Sequence, residues 1–110
     1  MATAVARHLA ARGNAPGSMV LVGSMSGAVV NWAPAGVRVN CLSPGYMETP
    51  LTGALMDAQP ALRQQWTGGV PMGRLGAPTD LAGPVVFMLS DAASYMTGAD
   101  LRVDGGYTII

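Results

Sequence analysis

With 110 residues, six arginines balancing six acids and no lysine at all, the chain has room for one small domain, read over 1–110, and no basic footprint for nucleic acid or an anionic membrane. Half of it is apolar with eight Met and few aromatics, which suffices for a core, though a plastic one. One Cys and one His exclude an internal disulfide and the usual metal-ligand sets, and no apolar run is sustained enough for a signal peptide or a membrane span, so a reducing cytoplasm is the expected setting.

Residues 2–12 predict a helix, with Val5 and Leu9 one turn apart, His8 and Arg12 at the negative end of the dipole, and Gly13 as its stop. His8 is an ordinary helix-end histidine with no indicated nucleophile beside it. Met19-Val20-Leu21-Val22, bounded by Gly17-Ser18 and Gly23-Ser24, reads as a buried parallel strand. It runs into Gly23-Ser24-Met25-Ser26-Gly27, a small-residue turn whose middle position is Met, unlike a hydrolase nucleophile elbow. Ala28 to Gly36 is short and broken by Pro and Gly. Either the flanking strands pair antiparallel, or a cramped crossover leaves one sheet face uncovered.

Val37, Val39 and Cys41 alternate with Arg38, Asn40 and Leu42, the period of a strand, and Pro44-Gly45 ends it. Thr49 before Pro50 marks a helix start, with the hydroxyl as cap and Pro where no hydrogen bond is lost. A strand that delivers a bare turn to a helix N-terminus is a place to hold a ligand at a sheet's carboxyl edge. Leu51, Leu55 and Met56 carry the helix to Pro60, a second short helix holds Leu62 and Trp66, and Gly68 to Gly76 is loop. Pro78 opens the best-patterned helix, with Leu81, Val85, Met88 and Leu89 on one face and a kink expected at Pro84. Leu101 and Val103 mark a last strand, closed by Asp104-Gly105-Gly106.

The runs GSMVLVGSMSG, GVRVNCLSPGYMETP and PMGRLGAPTDLAGPVVFMLSDAASYMTGADLRVDGGYT, in this order, resemble the C-terminal half of a classical short-chain dehydrogenase/reductase, with wording most like the sugar and polyol dehydrogenases. The resemblance implies an α/β fold, a partial Rossmann-like sheet of about three strands with three to four helices, NAD or NADP as cofactor, and hydride transfer between an alcohol and a ketone. By position, Ser24 matches the family's Ser that hydrogen-bonds the reacting oxygen. Pro44, Gly45 and Met47 match the turn that lies against the nicotinamide, with the Met47 backbone meeting the carboxamide, and Thr49 matches a hydroxyl that contacts the cofactor.

Three family features have no match: the glycine-rich phosphate loop, the Asn-Asn-Ala-Gly motif and the Tyr-x-x-x-Lys helix, which belongs between the Ser24 turn and Trp32. The jump from Asn31 to Trp32 looks like an in-frame deletion. A phenol titrates near ~10 and works near neutrality only beside a cation, so Tyr46 is no replacement in a chain without lysine. The expectation is therefore a family-derived fold that transfers no hydride alone. The alternatives are an interaction module that associates with a second copy or a full-length relative through 78–103, or a truncated gene product. Substrate and the choice between NAD and NADP stay open.

Overall fold

The computed structural model describes residues 2–13, 15–23 and 32–109. Helix α1 (Ala2–Ala10) ends two residues before the sequence predicts; Ala11 and Arg12 continue as a turn, and Gly13, at φ 69, leaves the helical region. Strand β1 (Gly17–Val22) lies beside β2 (Val37–Pro44), which lies beside β3 (Asp100–Val103). The sheet order is β1-β2-β3 and both pairings are parallel, with Gly17 opposite Val37 and Cys41 opposite Asp100. The parallel direction excludes the antiparallel alternative, and the expectation that a cramped crossover leaves one face uncovered fails as well, because α1 and the helix at Ala82–Leu89 cover the two faces. Returning along a six-residue strand takes about 20 Å, well within the reach of the residues between Val22 and Val37. Within that link Ala33–Ala35 forms a 3-10 turn closed by Gly36 in the left-handed region.

Helices cover both faces of the sheet. On one face Ala6 and Leu9 of α1 pack with Met19, Val37 and Val39, joined by Leu21 and Trp32. On the other lies α4 (Ala82–Leu89), whose Met88 is fully buried and whose Met88 carbonyl accepts a hydrogen bond from the Ser18 hydroxyl. β2 is therefore buried on both sides, and Asn40 and Leu42 are as inaccessible as Val37. The period of two in its sequence separates two covered faces, not a wet face from a dry one.

The polar residues this buries are fully used. The Arg38 guanidinium donates to the carbonyls of Met88 at 2.9 Å and Ser90 at 3.0 Å, with longer contacts to Met96 and Leu89, so it caps the end of α4. The Asn40 amide donates to the Met96 carbonyl and accepts from the Ala99 N–H, pinning the loop that feeds β3.

Between β2 and α4 come α2 (Pro50–Ala58) and α3 (Pro60–Gly68). The stretch from Pro78 begins as a 3-10 turn, Pro78–Leu81, before α4 proper starts at Ala82. Pro84 thus sits in the first turn of α4, where its missing N–H costs no helical bond, and the expected kink has no cause. Leu89 also leaves the predicted buried face and is 46% exposed. The molecule is elongated, 53 × 24 × 22 Å with a radius of gyration of 16.7 Å, against about 13 Å for a compact domain of this length. Among the described residues no helix is long and apolar enough to cross a membrane.

Candidate functional site

The carboxyl edge of the sheet gathers the end of β2, the turn that follows it and the Asp104-Gly105-Gly106 turn after β3. Pro44 is the last residue of β2 and pairs with Val103, and the Gly45 N–H donates to the Val103 carbonyl at 3.0 Å. A side chain at Gly45 would put its Cβ 2.6 Å from Asp104 Cβ and 2.7 Å from Asp104 Cα. Glycine is required there by the crossing main chain of Asp104, a reason internal to the fold and one the sequence reading did not supply.

Beyond Gly45 the chain makes a single parallel bridge, Met47 to Gly76. The Gly76 N–H donates to the Tyr46 carbonyl at 2.9 Å, and the Glu48 N–H donates to the Gly76 carbonyl at 2.7 Å. This pattern turns the N–H and carbonyl of Met47 the other way. The carbonyl accepts from the Thr52 hydroxyl at 2.7 Å, and the N–H has no partner among the described residues.

Thr49 is the N-cap of α2, extended at φ −124, ψ 166, followed by Pro50. Its hydroxyl accepts from the Thr52 N–H at 3.2 Å, while the Thr49 N–H donates to the Thr52 hydroxyl at 2.8 Å, a reciprocal capping box. The two hydroxyls also lie 3.0 Å apart, and with the Thr52 proton on the Met47 carbonyl it is the Thr49 hydroxyl that donates across this contact. Thr52 is the residue the sequence reading missed; its signal was the Thr49-x-x-Thr52 spacing. Glu48 and Arg63, 3.2 Å apart and both substantially exposed, tie the turn loosely to α3.

Tyr46 is fixed by aromatic contacts, stacked on Trp66 of α3 with centroids 5.0 Å apart and meeting Tyr107 edge-on at 5.0 Å. The Tyr107 hydroxyl beside it, helped by burial, holds the Tyr46 phenol above its ordinary value. That is the wrong direction for a proton-transfer group at neutral pH. A cavity of about 420 Å³ lies between the Met47–Gly76 bridge and the Gly105-Gly106 turn; it is bordered by Arg74 paired with Asp80, by Arg102 and by Asp104. Both Asp104 oxygens are engaged, by the Gly106 N–H and by the N–H and hydroxyl of Thr108.

Pro44, Gly45, Met47 and Thr49 therefore come together on one turn. Ser24, the remaining candidate, lies outside the described residues. The turn offers a nicotinamide a main-chain N–H with no partner among the described residues and a hydroxyl at a helix start, with no side chain at Gly45. No group of acidic, His or Cys residues able to hold a metal occurs among the described residues.

Residues 19–108 match the family described as enoyl-(acyl carrier protein) reductase, and a short-chain type dehydrogenase/reductase from Mycobacterium marinum superposes on 99% of the chain with a TM-score of 0.83 at 33% identity. The chain belongs to the short-chain dehydrogenase/reductase family. Within it, the galactitol 2-dehydrogenase (L-tagatose-forming) of Cereibacter sphaeroides is 41% identical over 131 aligned positions, covering 96% of this chain and 50% of that protein. The gluconate 5-dehydrogenase of Burkholderia cenocepacia J2315, solved with NADP and tartrate, has a TM-score of 0.84 at 32% identity over 99% of this chain and 51% of its own. The chain thus spans about half the length of the relatives it matches. Since 96% of 110 residues is about 106, about 25 of the 131 aligned positions of the galactitol dehydrogenase have no counterpart here.

Proposed function

We propose that the turn from Pro44 to Thr49 is the nicotinamide-side half of a dinucleotide site, inherited from an NAD(P)-dependent oxidoreductase of sugars, polyols or related ketones. The observation that carries it is the main chain of Met47, whose N–H has no partner among the described residues while its carbonyl is locked by Thr52. In this reading Pro44 and Gly45 form the floor, the Met47 N–H meets the carboxamide, the Thr49 hydroxyl turns from Thr52 to contact the cofactor, and Ser24 holds the reacting oxygen. A bound cofactor would carry the hydride, accepting it from an alcohol as NAD or NADP and giving it to a ketone as NADH or NADPH. The sugar and polyol substrates of the family's members support the substrate class, and the single cysteine, Cys41, buried in β2, suits a reducing cytoplasm.

The same reading holds that the chain alone transfers no hydride. No lysine is present, and Tyr46, the one tyrosine on the candidate turn, is pushed away from neutrality. The roughly 25 unmatched positions are enough for one crossover helix, which supports the reading that a segment such as the family's Tyr-x-x-x-Lys helix is missing at Asn31-Trp32. The test is a titration with NADH and with NADPH, followed by nicotinamide fluorescence, on wild type, Thr49→Ser and Thr49→Val. Saturable binding retained by Ser and lost by Val supports the half-site. Equal binding by all three overturns the role of Thr49, and oxidation of either cofactor by a ketone above a Ser24→Ala control overturns the inactive reading.

A second reading, an association module built on 78–103, is favoured by one observation: α4 leaves Val86, Phe87 and Leu89 exposed at 66%, 43% and 46%. Those residues would meet a full-length relative. Failure of a Phe87→Glu variant to reduce co-purification with such a relative would refute it.

A further inference from the structure

The loop that carries Gly76 is fastened in a way that bears on the candidate turn. Each of the two peptide groups that meet at Gly76 is held at both of its ends. In the Leu75–Gly76 group the N–H donates to the Tyr46 carbonyl at 2.9 Å, and the carbonyl accepts from the Arg74 guanidinium at 3.0 Å. In the Gly76–Ala77 group the carbonyl accepts from the Glu48 N–H at 2.7 Å, and the N–H donates to the Asp80 carboxylate at 2.8 Å. Arg74 in turn donates to Asp80 through two hydrogen bonds, at 2.7 and 3.2 Å.

A peptide group is planar, so fixing the direction of its carbonyl fixes that of its N–H as well. The Arg74–Asp80 pair therefore sets the tilt of both planes, and these planes grip the main chain on either side of Met47. With Tyr46 and Glu48 gripped, the Met47 N–H faces away from the loop. An ion pair this exposed, with side chains 57% and 35% accessible, contributes little to stability. The buried Leu75 side chain anchors the loop without it. What the pair adds is a direction for the backbone.

We propose that Arg74 and Asp80 are positioning residues for the nicotinamide half-site, acting through the Gly76 peptide groups to aim the Met47 N–H. Their role toward nicotinamide rests on the reading of the Pro44 to Thr49 turn as that half-site, whereas the clamp itself consists of hydrogen bonds within residues 46–80. A guanidinium suits the task because its planar fork reaches the carboxylate with two bonds while Nη1 also serves the Leu75 carbonyl. Asp80 matches it: Oδ2 takes both the Ala77 N–H and Arg74 Nη1, and Oδ1 takes Nη2. The hydrogen bonds from Arg74 and then Ala77 hold the Asp80 carboxyl below its ordinary value, so both oxygens stay acceptors through the neutral range. A turn whose donor is already aimed binds more tightly than one that must first be ordered, because only the aimed fraction is competent.

The experiment compares the full chain with Arg74→Met, Asp80→Ala and the milder Asp80→Asn, which keeps an oxygen for the Ala77 N–H. Arg63→Met, which breaks the exposed Glu48–Arg63 pair on the same turn, is the control. The first readout is amide hydrogen exchange without ligand. Arg74→Met and Asp80→Ala should speed exchange at the Gly76 and Glu48 amides at least about tenfold and leave Cys41 in β2 unchanged, with Tm within about 4 °C of the wild type. Asp80→Asn should fall between, and Arg63→Met should match the wild type. The second readout is titration with NADH and NADPH, in which the two stronger variants should raise Kd about three- to tenfold. Unchanged exchange at Gly76 and Glu48 overturns the clamp, whether or not a cofactor binds. Faster exchange with an unchanged Kd overturns the positioning role alone. A wild type that binds neither cofactor overturns the half-site reading and the role built on it, while exchange still reports the clamp. Loss of protection that extends to Cys41, or an equal effect of Arg63→Met, also overturns the proposal.

Discussion

Replacing Thr52 by Val tests whether the candidate turn is held by side-chain hydroxyls or by its backbone alone. The change keeps shape and the Thr49 hydroxyl, and removes the two shortest hydrogen bonds of the Thr52 hydroxyl, to the Met47 carbonyl at 2.7 Å and from the Thr49 N–H at 2.8 Å, with its longer contacts to the Thr49 hydroxyl at 3.0 Å and carbonyl at 3.3 Å. Each bond contributes about 0.5–1.5 kcal/mol net, and the groups are only part-buried, so water partly compensates; the expected loss is about 2 kcal/mol. An unfolding entropy of roughly 2.1 cal/mol/K per residue then gives a fall in Tm of about 9 °C for this chain. Urea unfolding followed by far-UV circular dichroism should show a lower midpoint with an unchanged slope, because the change deletes bonds and leaves the buried area alone. Thr52→Ser should recover all but about 0.5 kcal/mol, since the hydroxyl survives and only a methyl is lost. If Val lies within about 1 °C of the wild type, the hydroxyl clamp is not what orients Met47, and the argument for a preset carboxamide contact fails with it.

Three further outcomes are expected. Gly45→Ala drives a Cβ into the Asp104 main chain and should destabilise by about 1–3 kcal/mol in the same urea assay; a neutral result would mean that the two turns are not in contact. Arg38→Met keeps the aliphatic stem but frees the carbonyls at the end of α4; with two close charge-assisted bonds lost, the expected cost is about 3 kcal/mol, and less than 1 kcal/mol would refute the capping role. For Asp104, the Thr108 hydroxyl and the N–H groups of Gly106 and Thr108 hold the carboxyl below its ordinary value against the opposing effect of burial. A depressed carboxylate stabilises above its unfolded value, about 3.9, and loses that contribution as pH falls through the folded value. Asp104→Asn should therefore be less stable than wild type at pH 7, with the gap closing below about pH 4; a gap independent of pH would place its cause outside the charge.

Much of the fold was legible because its signals are local. The uncharged run Met19 to Val22, the alternation from Val37 to Leu42 and the Thr49-Pro50 helix start depend on neighbours in sequence, and each element stands where the pattern puts it. What escaped depends on tertiary cover. Arg38 and Asn40 read as the wet face of a strand until α4 is laid over them, and only then do a guanidinium and an amide between valines become the fastenings of a helix end and a loop. Pro84 was misjudged for a related reason. Its helix was taken to begin at Pro78, whereas a 3-10 turn occupies Pro78–Leu81 and moves the helix start to Ala82. At the candidate site the hydroxyl at Thr49 was visible and its counterpart at Thr52 was not, because the usual capping-box partner is Glu or Gln. The need for glycine at position 45 arises from Asp104, some sixty residues downstream, and no local pattern encodes it.

The parallel register of β1 on β2 is reached here through a link of about 14 residues, Gly23 to Gly36. A link longer by about 25 residues would span about 39. Treated as a flexible chain, closure would become harder by (3/2)RT ln(39/14), or about 0.9 kcal/mol. So small a difference makes connector length nearly free in assembling the sheet. A segment as long as a helix can be added or removed at this point while the strands find the same partners, which separates the assembly of the scaffold from whatever the connector carries.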